Sequence, residues 1–255
     1  MKKIWYLWLL LVAHAALAAD SLFVWEPQLP ILIDRTDNIW YEIRAEGEKG
    51  DVLNQLTLQL DASVNLADIQ AVRLYYAGTE APERKGKGFA PVNYIARDTP
   101  GKTRAANRTY SVLQDEVTTP AHTIQLTSRQ PMFQGINYYW ISLQLKPETS
   151  LLTQIRSNLT AAQINQQETP INWHQKPDVR RVGIGVRHAG DDGSAAYRIP
   201  GLVTTLKGTL LGVYDVRYNS GVDLQEKVDI GLSRSTDKGQ TWEPMRIAMT
   251  FGETG

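Results

Sequence analysis

The sequence contains no cysteine. That excludes disulfides, thiolate metal sites, a cysteine nucleophile and a lipid anchor built on an N-terminal cysteine. It also makes the chain indifferent to the redox state of its compartment. Histidine is scarce: His14, His122, His174 and His188 are all there is. Their spacing fits no metal-ligand pattern, so no metal and no cofactor is expected. Charge of one sign is missing as well, because lysine plus arginine equals aspartate plus glutamate at 27 each. Such a balance argues against a nucleic-acid partner. The glycines around Gly183 form no phosphate loop, since no Gly-Lys-Ser/Thr follows them. Beyond the N-terminus no apolar run is long enough to span a membrane.

What is present begins with an export signal. Residues 1–18 carry Lys2 and Lys3, then the uncharged apolar run 4–13, then Ala16-Leu17-Ala18 as a small-residue cleavage pattern. The run is too short for a membrane anchor. An exported product, periplasmic or extracellular, is expected. Its removal leaves the mature chain slightly acidic.

Residues 19–177 read as one β-rich domain. Strands are predicted at 31–34, 39–45, 55–60, 69–76, 122–127 and 136–145. Alternation is clean in Tyr41/Ile43 and in Tyr139/Ile141/Leu143. Strands at this spacing, separated by polar turns, predict an antiparallel β-sandwich. The longest loop, 78–102, is rich in Gly, Pro, Lys and Arg and belongs on the surface. The assignment of 151–164 stays open. Two aromatic clusters, Tyr75-Tyr76 and Tyr138-Tyr139-Trp140, offer either a stacking face for sugar or core filling. Neighbours in a strand point to opposite faces, so core or domain-interface packing is favoured. Pro170 and Pro177 mark a boundary at 166–177. Beyond it Val182, Ile184 and Val186 share a face, and 181–186 is expected to serve as the outer strand of a last propeller blade.

Residues 197–242 organise the rest. Tyr197-Arg198-Ile199-Pro200 leads into a first strand. Thr209 to Tyr218 alternates as a second. Val228, Ile230 and Leu232 share one face of a third, and Ile247, Met249 and Phe251 one face of a fourth. Lys207-Gly208, Asn219-Ser220-Gly221 and Asp237-Lys238-Gly239 are the turns. An up-and-down meander of this size is the unit of a β-propeller blade. It places Arg198, Arg217 and the following Asp223 at one edge. The turn Ser235–Trp242 falls at the opposite edge, where Asp237 can accept backbone N–H bonds and Trp242 can pack between sheets.

These pieces together resemble the sialidases, or neuraminidases, of the six-bladed propeller type, closest to the secreted enzymes of Bacteroides-type bacteria. Tyr197-Arg198-Ile199-Pro200 resembles their Arg-Ile-Pro motif. Ser235-Thr236-Asp237-Lys238-Gly239-Gln240-Thr241-Trp242 matches their Asp-box. Arg217 and Asp223 fall where that family carries a second arginine and its acid/base aspartate. The resemblance implies an all-β chain: a carbohydrate-binding-module-like β-sandwich over 19–177, then the first blade of a six-bladed β-propeller over 178–255.

It also implies an exo-α-sialidase, a glycoside hydrolase that removes terminal α-linked sialic acid with retention. Sialylated glycans would be the partners. Arg198 would stand first in an arginine triad gripping the sialic acid carboxylate, a task that suits a planar guanidinium better than lysine. Arg217 would lie near the ring hydroxyls, and Asp223 would be the general acid/base. Asp215 and Asp229 are the nearest alternatives, but both sit within strands, where structural bonding is expected. Sialidases use a tyrosine nucleophile. That tyrosine, its glutamate and the other triad arginines belong to later blades and are not identifiable here, so this portion is expected to be inactive alone. At about 50 residues per blade, on the order of 250 residues of propeller are missing. The alternative is a non-catalytic sugar-binding sandwich and propeller.

Overall fold

A computed structural model describes residues 21–79, 111–174, 178–221, 227–250 and 252. The signal segment 1–18, nearly all of loop 78–102, Asp223 and Phe251 lie outside the described residues. Within them the regular structure is strand plus two short 3-10 turns, Leu66–Asp68 and Asp191–Gly193, with no α-helix. In chain order the strands are β1 (Ser21–Trp25), β2 (Ile31–Leu32), β3 (Ile39–Gly47), β4 (Leu53–Leu60), β5 (Ile69–Gly78) and β6 (Val112–Val117). There follow β7 (Thr123–Leu126), β8 (Gly135–Leu145), β9 (Gln154–Ile155), β10 (Ser157–Ile164), β11 (Gln167–Glu168), β12 (Ile171–Trp173) and β13 (Arg180–Gly183). The last group is β14 (Ala196–Thr204), β15 (Leu210–Arg217), β16 (Val228–Ser235) and β17 (Arg246–Thr250).

The first domain is a sandwich. A six-stranded sheet in the order β12-β1-β3-β8-β5-β6 faces a four-stranded sheet in the order β11-β10-β4-β7. Their inner faces share one core. Leu22, Tyr41, Ile43, Leu74, Tyr139 and Ile141 come from the large sheet, and Leu56, Leu58, Leu126 and Leu159 from the small one. Strand β4 alternates as a half-buried strand should, whereas the central β3 is buried along most of its length. Both faces of β3 are covered over residues 39–43, so Glu42 is buried along with Ile39, Trp40, Tyr41 and Ile43. Most ladders are antiparallel, but β1 and β12 pair in parallel, with Leu22 opposite Ile171.

The aromatic clusters are packed rather than displayed. Tyr76 and Tyr139 point into the main core. On the other face Tyr138 and Trp140 join Ile39 and Ala77 in a second cluster, with Tyr75 half-buried against it. Tyr75 stacks on Trp140 at 4.3 Å between ring centroids. Packing of this density makes Ile141→Ala costly. Ile141 is fully buried in the shared core, so the expected loss is about 2–5 kcal/mol by denaturant unfolding. Leu152→Ala, at a side chain 89% exposed, should change stability by less than about 0.5 kcal/mol.

One sequence expectation fails. Strand β13 is not the outer strand of a blade. It pairs in parallel with β2, Val182 opposite Ile31, and antiparallel with β9, Arg180 opposite Ile155. The alternation was real, and Val182 is buried, but it is buried in the core of the first domain. Packing against the first domain therefore continues past the proline-rich join at 166–177. The meander then follows as a separate four-stranded antiparallel sheet, β14-β15-β16-β17.

Candidate active site

Arg198 is the third residue of β14 and lies directly across the ladder from Asp215 on β15. Arg217 is two residues further along β15 and closes that strand. Residues two apart in a strand share a face, and directly opposed residues do too. One face at one edge of the sheet therefore presents Arg198, Asp215 and Arg217 together. The ladder is interrupted just beyond Arg198, where Ile199 has φ +51° and the register shifts before Gly201. Pro200 has no N–H to give to the ladder, so a bulge forms there. A left-handed β-branched residue is an uncommon and strained conformation, and strain of this kind concentrates at functional sites.

The two arginines converge. Arg198 Nη1 donates to the Gly221 carbonyl at 2.9 Å, and Arg217 Nη1 reaches the same oxygen at 3.4 Å. Arg217 is only 2% exposed. Its Nη2 donates to Asp215 Oδ2 at 2.8 Å, so the buried cation has a carboxylate beside it. Gly221 ends the described part of the loop, two residues before Asp223. The expected acid/base itself lies outside the described residues.

The alternatives to Asp223 are occupied structurally. Asp215 is the partner of Arg217. Asp229 is 4% exposed and accepts from the Tyr218 hydroxyl at 2.9 Å. Burial, together with that carboxylate, pushes the Tyr218 phenol up to about 12. Tyr197 precedes Arg198 and packs edge-on against Tyr214, ring centroids 5.3 Å apart. Its hydroxyl is within donating distance of the Asp191 carbonyl, 2.8 Å, and of Asp192 Oδ2, 2.9 Å.

The turn at the opposite edge is a folding element, as its sequence indicated. Asp237 Oδ1 accepts from the Thr241 amide at 3.0 Å and from the Ser235 hydroxyl at 2.8 Å. Oδ2 accepts from the Thr241 hydroxyl at 2.5 Å. The Thr241 hydrogen bonds, with Ser235 behind them, hold the Asp237 carboxyl down at about 2. Gly239, at φ +91°, completes the turn. The Trp242 ring lies against Gly212.

Two polar contacts across the domain boundary had no sequence signal. The His188 ring sits between Arg35 Nη2, 3.0 Å from Nδ1, and Asp34 Oδ2, in short contact with Nε2. Arg180 is 2% exposed and donates to the carbonyls of Leu29, Trp40 and Ile39, beside the fully buried Glu26. Partners about 150 positions apart leave no local pattern to read.

Comparison with known proteins decides the family. Residues 19–168 match the family described as the N-terminal domain of BNR-repeat neuraminidase. The chain belongs to the BNR-repeat neuraminidases. It is 53% identical over 240 residues to a sialidase of Bacteroides fragilis (strain YCH46), covering 93% of this chain and 44% of that protein. It is similar in structure to the Hadza microbial sialidase Hz136, with a TM-score of 0.77 and 52% identity over 90% of this chain and 44% of the other. A shorter match, 34% over 80 residues, is to an anhydrosialidase of Macrobdella decora. The chain thus spans less than half the length of the sialidases it matches over most of its own length. Its all-β build agrees with the fold of its structural neighbour, and sialidase-family membership makes it part of a glycoside hydrolase family.

Proposed function

We propose that this chain is the N-terminal portion of an exported exo-α-sialidase, which hydrolyses terminal α-linked sialic acid from glycoconjugates with retention. The observation that carries the reading is the convergence of Arg198 and Arg217 at one edge of the meander, with the loop toward Asp223 tied to both through the Gly221 carbonyl. The relatives named sialidase support the same reading. The four-stranded sheet is then the first blade of the propeller, and the missing nucleophile belongs to blades beyond Gly255. This portion alone is expected to be inactive. Among the described residues no helix is long and apolar enough to cross a membrane, and the 1–18 segment supports export.

Sialic acid carries a carboxylate on its anomeric carbon. Arg198, half-buried and planar, supplies the two-pronged donor that such a group needs. Arg217, buried and paired with Asp215, has less freedom and lies close enough to shape the same pocket. Asp223 protonates the leaving oxygen and afterwards activates water. An aspartate or glutamate nucleophile would be repelled by the substrate's own carboxylate, hence the tyrosine of this class.

Assay of the longer protein and of this chain on sialyllactose tests the proposal. Only the longer protein should release sialic acid, and proton NMR should show the α-anomer first. Release of an anhydro product, or of the β-anomer first, would replace hydrolysis with retention by another reaction. Arg198→Lys keeps the charge but loses the planar fork. KM should rise for every sialoside regardless of leaving group, by about tenfold or more. An unchanged KM would remove Arg198 from the carboxylate site.

A further inference from the structure

The first domain touches the segment that leads to the site through the side chains of Asp34 and Arg35. Asp34, just past β2, and His188, in the segment between β13 and β14, meet across the domain boundary. Asp34 Oδ1 also accepts from the Gly185 amide at 3.0 Å. Arg35 can only donate, so its contact with His188 Nδ1 makes that nitrogen the acceptor. The proton then sits on Nε2 and is given to Asp34. One tautomer fits both neighbours, and it fixes the ring's orientation. Gly185 leaves room for the ring: a Cβ there would stand 2.1 Å from His188 Cε1.

His188 in turn holds the turn that leads to Arg198. Its amide donates to Asp191 Oδ2 at 2.8 Å, and its carbonyl accepts from the Asp191 amide at 3.0 Å. Gly190 and Ser194 close the same turn at 2.7 Å. The Tyr197 hydroxyl lies within donating distance of Asp191 O and Asp192 Oδ2, and Asp192 pairs with Arg187 at 3.0 Å. Tyr197 is the residue before Arg198. The Ala195 amide donates to the carbonyl of Arg217 at 2.8 Å, so the far end of the turn is pinned to the second arginine's strand.

We propose that Asp34 and His188 are positioning residues for Arg198, so that the first domain is a structural part of the anion-binding edge rather than a tethered module. This rests on the sialidase reading for its consequence in catalysis, but the mechanical part stands apart from it. A guanidinium displaced by about 1 Å loses the two-pronged geometry a carboxylate needs, so binding of the anion weakens.

Two variants displace His188 by independent routes. Asp34→Asn keeps the shape of the side chain and removes its charge. Gly185→Ala keeps every charge and puts a methyl group where the ring now lies. Amide hydrogen exchange on this chain reads the mechanical part. In both variants Gly190, Ser194 and Ala195 should exchange about tenfold faster, with β3 and β8 unchanged. Kinetics on the longer protein read the consequence. KM for sialyllactose should rise by about tenfold in both, with kcat within about twofold of the parent, as expected for lost ground-state binding. Faster exchange throughout β3 and β8 would make Asp34 a general stability residue and overturn the proposal. Faster exchange confined to the turn, with KM unchanged, would overturn it too. If the parent protein turns over no sialoside, the catalytic reading fails, and the exchange measurement still decides whether the clasp holds the Arg198 strand.

Discussion

Asp223→Asn in the longer protein is expected to cut kcat/KM on sialyllactose by about 10²–10⁴-fold, the usual worth of general acid/base assistance. On an aryl sialoside with a nitrophenyl or coumarin leaving group the loss should be much smaller. Such a group departs with little protonation, so the first chemical step barely needs the acid. The second step still needs a base to activate water, so some loss remains. The leaving-group contrast separates Asp223 from the arginines, whose substitution should weaken both substrates alike. The loop's attachment supports the assignment: Gly221, two residues before Asp223, gives its carbonyl to both Arg198 and Arg217. Equal losses on the two substrates would move the acid role to another group. Asp215 would be a poor replacement, because its carboxylate is already held on Arg217 at 2.8 Å.

What could be read from the sequence follows from which interactions are local. Strands β3, β4, β5 and β8 were legible because each has a patterned apolar face, and the four strands of the meander because turn residues separate them. Strand β6 was missed: Val112 and Leu113 are about half exposed, Gln114, Asp115 and Glu116 are polar, and Val117 alone packs against the core, so no apolar face shows through. Strand β10 was left open because Thr160 and Gln163 break up its apolar face, although Leu159, Ala162 and Ile164 are buried. A bulge between Leu159 and Ala161 puts Leu159 and Ala162 out of simple alternation. Strand β13 was legible as a strand but assigned the wrong neighbours, because alternation reports a buried face and says nothing about what covers it. The shared edge of Arg198 and Arg217 could be deduced from meander topology. The ion pair of Arg217 with Asp215 could have been, since residues two apart share a strand face. The Asp34–His188 and Glu26–Arg180 contacts could not, because they depend on how two folded units meet.

Between pH 5.5 and pH 8 the chain should lose stability through Glu26, and Glu26→Gln should abolish that loss. Glu26 follows β1 and is fully buried. Its Oε2 accepts from the Asp178 amide at 2.8 Å, while Oε1 has no hydrogen-bond partner among the described residues and lies 3.9 Å from Arg180 Nη1. That cation is already engaged by three backbone carbonyls, so it compensates the carboxylate only in part. Tyr41 and Asp178 are the other titratable groups near it. Burial pushes the Glu26 carboxyl up to about 7 from an ordinary value of 4.5, against the weaker pull of the Asp178 amide and Arg180. The folded chain therefore holds a proton that the unfolded chain has released between those two values. A state that binds more protons gains from acid, so this contribution is full below about pH 4.5 and is lost as pH rises through 7. The difference amounts to about 3 kcal/mol. Asp34 and Asp237 work in the opposite sense, since both are held below their ordinary values and lose their contribution only in stronger acid. The window above pH 5.5 therefore isolates Glu26 from them. Glutamine keeps an oxygen for the Asp178 amide and removes the buried charge. Denaturant unfolding at pH 5.5 and pH 8 gives four stabilities, and the comparison that matters is variant against parent at each pH. The variant should exceed the parent by about 1.4 kcal/mol at pH 5.5 and by about 3 kcal/mol at pH 8, so the gap should widen by about 2 kcal/mol. A variant that is less stable than the parent at pH 8 would mean that the buried pair with Arg180 outweighs the cost of the charge, and that Glu26 is ionised throughout this range.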